Sequence, residues 1–215
     1  MIENYFSLPL FMEVNEKYDL FYEETEKAIS STRKDNSRFI SRLLGGMERE
    51  TQPQPTGLLD GGFMSPYEKP NFLEFYDLFL KKYIEHCASR YVSESRWSFI
   101  KPDTDYEAVI DESWINIDGK GCYQAAHTHP RSIISGTYYH QCDGDEGNLV
   151  LYNPIPYIQY GQFPENIYTC GGELPVQIQK GKLVMFPSWL QHRTDCNKTD
   201  KERISIAFNI SVKEK

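Results

Sequence analysis

From Trp114 onward the chain breaks into short runs rich in Ile, Val, Tyr and Phe: "ESWINI", "SIISGTYYH", "NLVLYNP", "PVQIQ", "KLVMFPS" and "RISIAFNI". Gly, Asp, Asn and Pro separate them. β-Branched and aromatic side chains suit a pleated backbone, and turn residues at this spacing fold the chain back on itself. The second half is therefore predicted to be an all-β sandwich or barrel, with no internal repeat.

The first half reads differently. After an apolar opening, "YFSLPLFMEV", the stretch from Asn15 to about Leu44 mixes charge with spaced apolar residues and predicts one or two helices. Residues 45–70 concentrate Gly, Pro and polar residues, which favour an irregular loop. Asn71 to Val92 carries Phe72, Phe75, Phe79, Tyr83, Ile84 and Cys87 at three- and four-residue steps, the apolar stripe of a helix capped by Asn71. His86 is read as a surface or boundary residue of that helix. The expected organisation is one domain over residues 1–215, with a helical support region (1–100, including the 45–70 loop) and a β core (101–215).

Composition narrows the partners. A formal net charge of −8 argues against a phosphate-binding face, so no nucleic acid is expected. The five cysteines are odd in number and include no Cys-X-X-Cys pair, which indicates neither a disulfide framework nor a zinc ribbon. With no basic leader and no apolar run of membrane-spanning length, the expectation is a soluble cytoplasmic protein.

The chemistry concentrates in a few polar residues among these runs. In "YQAAHTHP", His127 and His129 lie two apart, so on a strand they share one face. Imidazole suits Fe, Zn, Cu and Ni alike. His-X-His alone is a weak pattern, but "GKLVMFPSWLQH" reads as a strand and a Pro-containing bend that deliver His192 as a third ligand. In "ERISIAFNI", Arg203 and Ser205 again share a face. An arginine aimed into an apolar interior needs an anion: a ligand carboxylate held by its fork, or Asp195 or Asp200 at the strand end.

In this order, "HTHPRSIISGTYYH", "GNLVLYNP", "GKLVMFPSWLQHRT" and "ERISIAFNI" resemble the Fe(II)- and 2-oxoglutarate-dependent dioxygenases, most closely a group of such oxygenases from bacteria and their phages. The resemblance covers roughly Trp114 to Ile210. It implies a double-stranded β-helix (jelly roll, cupin-like) with supporting N-terminal helices, mainly β overall. It also implies Fe(II) at the open end, 2-oxoglutarate chelating the metal, and the far carboxylate of that cosubstrate held by Arg203 with Ser205 as helper. The implied reaction couples oxidative decarboxylation of 2-oxoglutarate, using molecular oxygen, to hydroxylation of a small molecule, peptide or protein side chain. A cupin-type metalloenzyme that does not use 2-oxoglutarate and a noncatalytic jelly-roll binding module are the alternatives.

The chain departs from the family pattern at His129, where Asp or Glu is expected two residues after the first histidine. Three arrangements resolve this: His127, His129 and His192 all bind; one of the first two pairs with His192 and a water; or Asp143, Asp145 or Glu146 supplies a carboxylate from a distance. Three neutral ligands would leave Fe(II) with its full charge of about +2, favouring a dianionic cosubstrate.

Among Tyr123, Tyr138 and Tyr139, a phenol could hydrogen-bond the cosubstrate, and Tyr123 and Tyr139 are the candidates. Asn153 initiates a turn or touches the site, and Trp189 is read first as a packing residue. "DGDEG" (143–147) is read as a hairpin turn, and His140 as no ligand. Substrate recognition is expected from the 45–70 loop and from Pro154–Pro175.

Overall fold

The structure is a computed structural model that describes residues 8–19, 22–23, 25–26, 80–95, 104–130, 132–154 and 172–215. Nine strands and one helix are described, in the order β1 (Phe11–Val14), α1 (Lys81–Glu94), β2 (Tyr106–Asp118), β3 (Gln124–His127), β4 (Ile134–Gln141), β5 (Leu149–Tyr152), β6 (Glu173–Val176), β7 (Lys182–Pro187), β8 (His192–Thr194) and β9 (Arg203–Glu214). They form a five-stranded sheet in the order β1-β7-β4-β9-β2 and a four-stranded sheet in the order β3-β8-β5-β6. All of their pairings are antiparallel. The two sheets are the layers of the expected jelly roll.

The residue pattern explains which face goes where. In β9, Ile204, Ile206, Phe208 and Ile210 alternate with Arg203, Ser205, Ala207 and Asn209, and all eight are buried. The apolar set packs with Ile134, Tyr138, Leu183 and Met185 of the same sheet against Ile84, Cys87, Ala88 and Tyr91 of α1. The other set faces the space between the sheets, where Tyr139, Val184 and Phe186 meet Leu149, Leu151 and Val176 in a second apolar cluster. Each fully buried aliphatic side chain contributes roughly 1.5–3 kcal/mol, so two clusters on opposite faces hold the larger sheet from both sides.

One irregularity in β2 decides the direction of the residues after it. The β2–β9 register shifts between Ile110 and Glu112. Before the shift Ala108 and Ile110 join the helix-side cluster; after it Ile115 and Ile117 do. An extra residue in a strand inverts the alternation downstream. Trp114, Asn116 and Asp118 are thereby turned toward the space between the sheets.

Helix α1 carries its buried residues Ile84, Cys87, Ala88, Tyr91 and Val92 along one stripe. This is the predicted apolar face; the predicted start, with Asn71, Phe72, Phe75 and Phe79, lies outside the described residues, as do the 45–70 loop and most of Asn15–Leu44. His86 is exposed, as expected. The apolar opening contains a strand that the residue pattern did not reveal. β1 pairs with β7 and is fastened to α1, where Tyr83 Oη and Arg90 Nη1 both donate to the Glu13 carboxylate at 3.1 and 2.6 Å. Cys87, Cys122, Cys142 and Cys196 are free thiols. Among the described residues no helix is long and apolar enough to cross a membrane.

Candidate metal centre and ligand pocket

The register of β3 and β8 sets His127 directly opposite His192. Their ring centroids are 4.3 Å apart. His129 lies just beyond the end of β3, so strand alternation does not position it. Instead its backbone N–H donates to the Ser188 carbonyl at 2.9 Å, which ties it to the bend after β7. His129 Nε2 and His192 Nε2 are then 3.3 Å apart, and one ring nitrogen from each of the three histidines lies within 4.8 Å of the other two. Among the described residues no carboxylate or thiol joins this group.

Backbone carbonyls choose the tautomers. His127 Nδ1 is 2.8 Å from the Ala125 carbonyl and His192 Nδ1 is 2.9 Å from that of Leu190. A carbonyl only accepts, so each Nδ1 carries the proton and each Nε2 presents a lone pair. Burial holds all three imidazoles below their ordinary pKa, His129 at about 4 and His192 at about 3, with the neighbouring His127 adding to both shifts. The rings are therefore neutral near pH 7, the form that binds metal. With metal–nitrogen bonds of about 2.1 Å, two ligands at a right angle have nitrogens about 3 Å apart. The residues present fit a first-row divalent ion.

The histidines line a cavity of about 70 Å³ between the sheets, and Arg203, Ser205, Tyr139 and Asp118 line the same cavity. Arg203 is 1 % exposed. The anion it meets is neither Asp200 nor the Asp195 side chain; it is Asp118, its direct cross-strand partner in the β2–β9 register. Nη2 donates to Asp118 Oδ2 at 2.9 Å and Nε to the same oxygen at 3.3 Å. Nη1 donates to the carbonyls of Glu146 at 3.0 Å and Gly147 at 2.9 Å, with Asp195 O at 3.4 Å, and Nη2 also reaches Thr194 Oγ1 at 3.2 Å. Burial opposes the charge on Arg203, and the surrounding groups, the Asp118 carboxylate first among them, more than offset it.

The "DGDEG" segment is not a hairpin within one sheet. It carries the chain from β4 in the larger sheet to β5 in the smaller one. Glu146 Oε2 accepts from the backbone N–H groups of Asp143 and Gly144 at 2.9 and 3.0 Å, which fixes the corner. Gly147 adopts φ +90°, and a Cβ there would fall 2.6 Å from the Asp195 carbonyl oxygen. Only glycine lets this corner bring its carbonyl to Arg203.

The remaining candidates separate clearly. Tyr139 is buried in the cavity wall, and burial pushes its phenol up, so it stays protonated. Tyr138, on the opposite face of β4, belongs to the helix-side core. Tyr123 and Asn153 do not line the cavity. Asp143 pairs with Lys180 and Lys201. His140 is apart from the three histidines, stacked on Tyr22 and 2.9 Å from Glu26 Oε2. Trp189 is 58 % exposed in the bend before His192, so it is not a packing residue. Most of Pro154–Pro175 lies outside the described residues. The residue that sequence reasoning missed is Asp118; its signal was the polar alternation of Asn116 and Asp118 in "WINID", together with the buried arginine's need for an anion.

Residues 112–209, a little under half of the chain, match the family model described as "Putative 2OG-Fe(II) oxygenase". No curated protein matches the chain. Among solved structures, AviO1 from Streptomyces viridochromogenes Tue57 is similar with a TM-score of 0.58 and 12% identity, over 95% of this chain and 90% of that one. A prolyl-4-hydroxylase from Pseudomonas putida is similar with a TM-score of 0.52 and 14% identity, over 94% and 93%. SnoN from nogalamycin biosynthesis, described as a non-heme alpha ketoglutarate dependent epimerase, follows with 0.53 and 9%, over 95% and 78%. At these identities the likeness is one of fold.

Proposed function

We propose, from the premise that the β core at residues 112–209 belongs to the 2OG-Fe(II) oxygenase family, that this protein hydroxylates its substrate with Fe(II), 2-oxoglutarate and molecular oxygen. The observation that carries the reading is the convergence of three neutral imidazoles and a buried arginine on one cavity. When bound, the metal and keto acid supply an oxidant able to attack an unactivated C–H bond, with succinate and carbon dioxide as coproducts.

The residues divide this work. His127, His129 and His192 hold the metal through ring nitrogens, and the carbonyls of Ala125 and Leu190 keep those of His127 and His192 oriented. Arg203 and Ser205 take the far carboxylate of the cosubstrate, and the protonated Tyr139 phenol is a donor in the same wall. SnoN, an epimerase by description, shares the fold. The outcome of such chemistry therefore follows from where the substrate is held, and hydroxylation is the outcome we assign here.

The test is an anaerobic titration of metal-free protein with Fe(II) and then 2-oxoglutarate, following the visible charge-transfer band of an iron-chelated keto acid. The band should appear with 2-oxoglutarate, be absent with succinate, and be lost in His192→Ala. Tight iron binding with no band in the wild type would overturn the reading. It would favour instead a cupin-type metalloenzyme, for which the set of three histidines without a carboxylate is the supporting observation.

A further inference from the structure

The cavity contains a carboxylate that the assigned chemistry does not use. Asp118 is 3 % exposed, sits directly across from Arg203 and lines the cavity. One of its oxygens, Oδ2, accepts from both Nη2 and Nε of Arg203. The other, Oδ1, is buried with no hydrogen-bond partner. A buried carboxylate oxygen is an expensive group to leave unsatisfied, and Asp118 is one of the residues that line the cavity.

Arg203 is committed on every nitrogen. Nε faces Asp118, Nη1 faces the carbonyls of Glu146 and Gly147, and Nη2 is shared by Asp118 and Thr194. No pair of parallel N–H groups is left for a second carboxylate to grip in fork geometry. A ligand carboxylate that approaches this guanidinium also approaches the like charge of Asp118.

The charges in the cavity close a second way. A facial triad of two histidines and one carboxylate places a negative charge on the metal. In this chain the three metal-facing groups are neutral imidazoles. The carboxylate is instead beside the arginine, so the cavity contains one negative and one positive side chain either way. The charge has moved from the metal to the opposite partner of the cosubstrate.

We propose that Asp118 is a specificity-determining residue: by capping Arg203 it weakens the pocket's grip on a distal carboxylate, and its Oδ1 admits 2-oxo acids whose far end is a neutral hydrogen-bond donor. This rests on the reading of the cavity as a 2-oxo acid site. Under it, the metal end dominates affinity, and the far end distinguishes poorly between a carboxylate and an amide.

The experiment is calorimetric titration of Mn(II)-loaded full-length protein with 2-oxoglutarate and, separately, with its 5-amide, 2-oxoglutaramate, for the wild type and Asp118→Asn. The wild type should bind the two within about fivefold of each other, and the variant should bind 2-oxoglutarate about tenfold or more tightly with no such gain for the amide. A purely structural role for Asp118 would weaken both ligands together and leave their ratio unchanged, which overturns the proposal. If the variant does not fold, the wild-type ratio decides: a preference for the acid above about a hundredfold overturns the proposal. Metal-dependent 2-oxoglutarate binding without the shift in ratio sinks this inference alone. Mn(II) binding with neither keto acid bound by either protein sinks it together with the function proposed above.

Discussion

His127 and His192 face each other across β3 and β8, and each is held by the same local device: its Nδ1 meets the carbonyl two residues earlier in the chain, Ala125 for one and Leu190 for the other. The two rings are thus fixed in tautomer and tilt before any ion arrives. Positions this well prepared lose little entropy on binding.

Removing either ring should therefore be severe. His127→Ala and His192→Ala are expected to lower Fe(II) affinity by more than the roughly 10- to 100-fold typical of losing a group that only supports a ligand. His129→Asp should keep iron bound, because a carboxylate at that position completes two histidines and one acid. Anaerobic metal-binding titrations check all three, and iron binding unchanged in His129→Ala would remove His129 from the ligand set.

Arg203→Ala should cost about 3–5 kcal/mol of stability, since it leaves the Asp118 carboxylate buried without its cation. Replacing both partners, as in Asp118→Leu with Arg203→Met, should cost less than Arg203→Ala alone. Urea denaturation of the single and double variants measures the difference. A double variant as unstable as the single would mean that the carbonyls of Glu146 and Gly147, not Asp118, are what the arginine satisfies.

Acid should destabilise the metal-free protein before the carboxylates titrate. Burial lowers the pKa of His127, His129, His140 and His192, with Glu26 partly countering it at His140. Unfolded, each takes up a proton near pH 6.5; folded, His129 does so only at about 4 and His192 at about 3. Between these values the unfolded chain binds more protons, so stability falls as pH falls, by up to about 1.4 kcal/mol per pH unit for each histidine still neutral in the fold. The urea midpoint should drop between about pH 7.5 and about pH 5, and an unchanged midpoint would show that the rings protonate freely in the native state.

Gly136→Ala should cost about 1–3 kcal/mol through overpacking. A Cβ at this central β4 position would lie 2.6 Å from Phe208 Cζ and 2.6 Å from the Val184 carbonyl oxygen. Adding Phe208→Leu should recover part of the loss, because it removes the ring contact and not the backbone one. Melting temperatures of the two variants decide it: a neutral Gly136→Ala would mean that the β4–β7 spacing relaxes easily.

The β runs and the order of histidine, histidine, arginine were legible in the chain because strands advertise themselves through alternation and turn residues. β1 was not. Its four residues, Phe11 to Val14, form a strand because β7 offers an edge and α1 anchors Glu13, and neither condition is visible locally. His129 was assigned a strand position but owes its place to a bond with Ser188, a residue 59 positions away. Asp118 escaped notice because its direction depends on the register shift at Ile110/Glu112, a property of the β2–β9 pair and not of either strand alone.

The position of β1 bears on how this protein fails as well as on how it works. β7 is paired on one side by β4 and on the other by β1 alone. Were the first strand cut away or peeled off, the apolar segment Lys182–Pro187 would present a bare hydrogen-bonding edge, a ready template for self-association. Trimming at Phe11 should thus be met first as precipitation, before any turnover assay could be run.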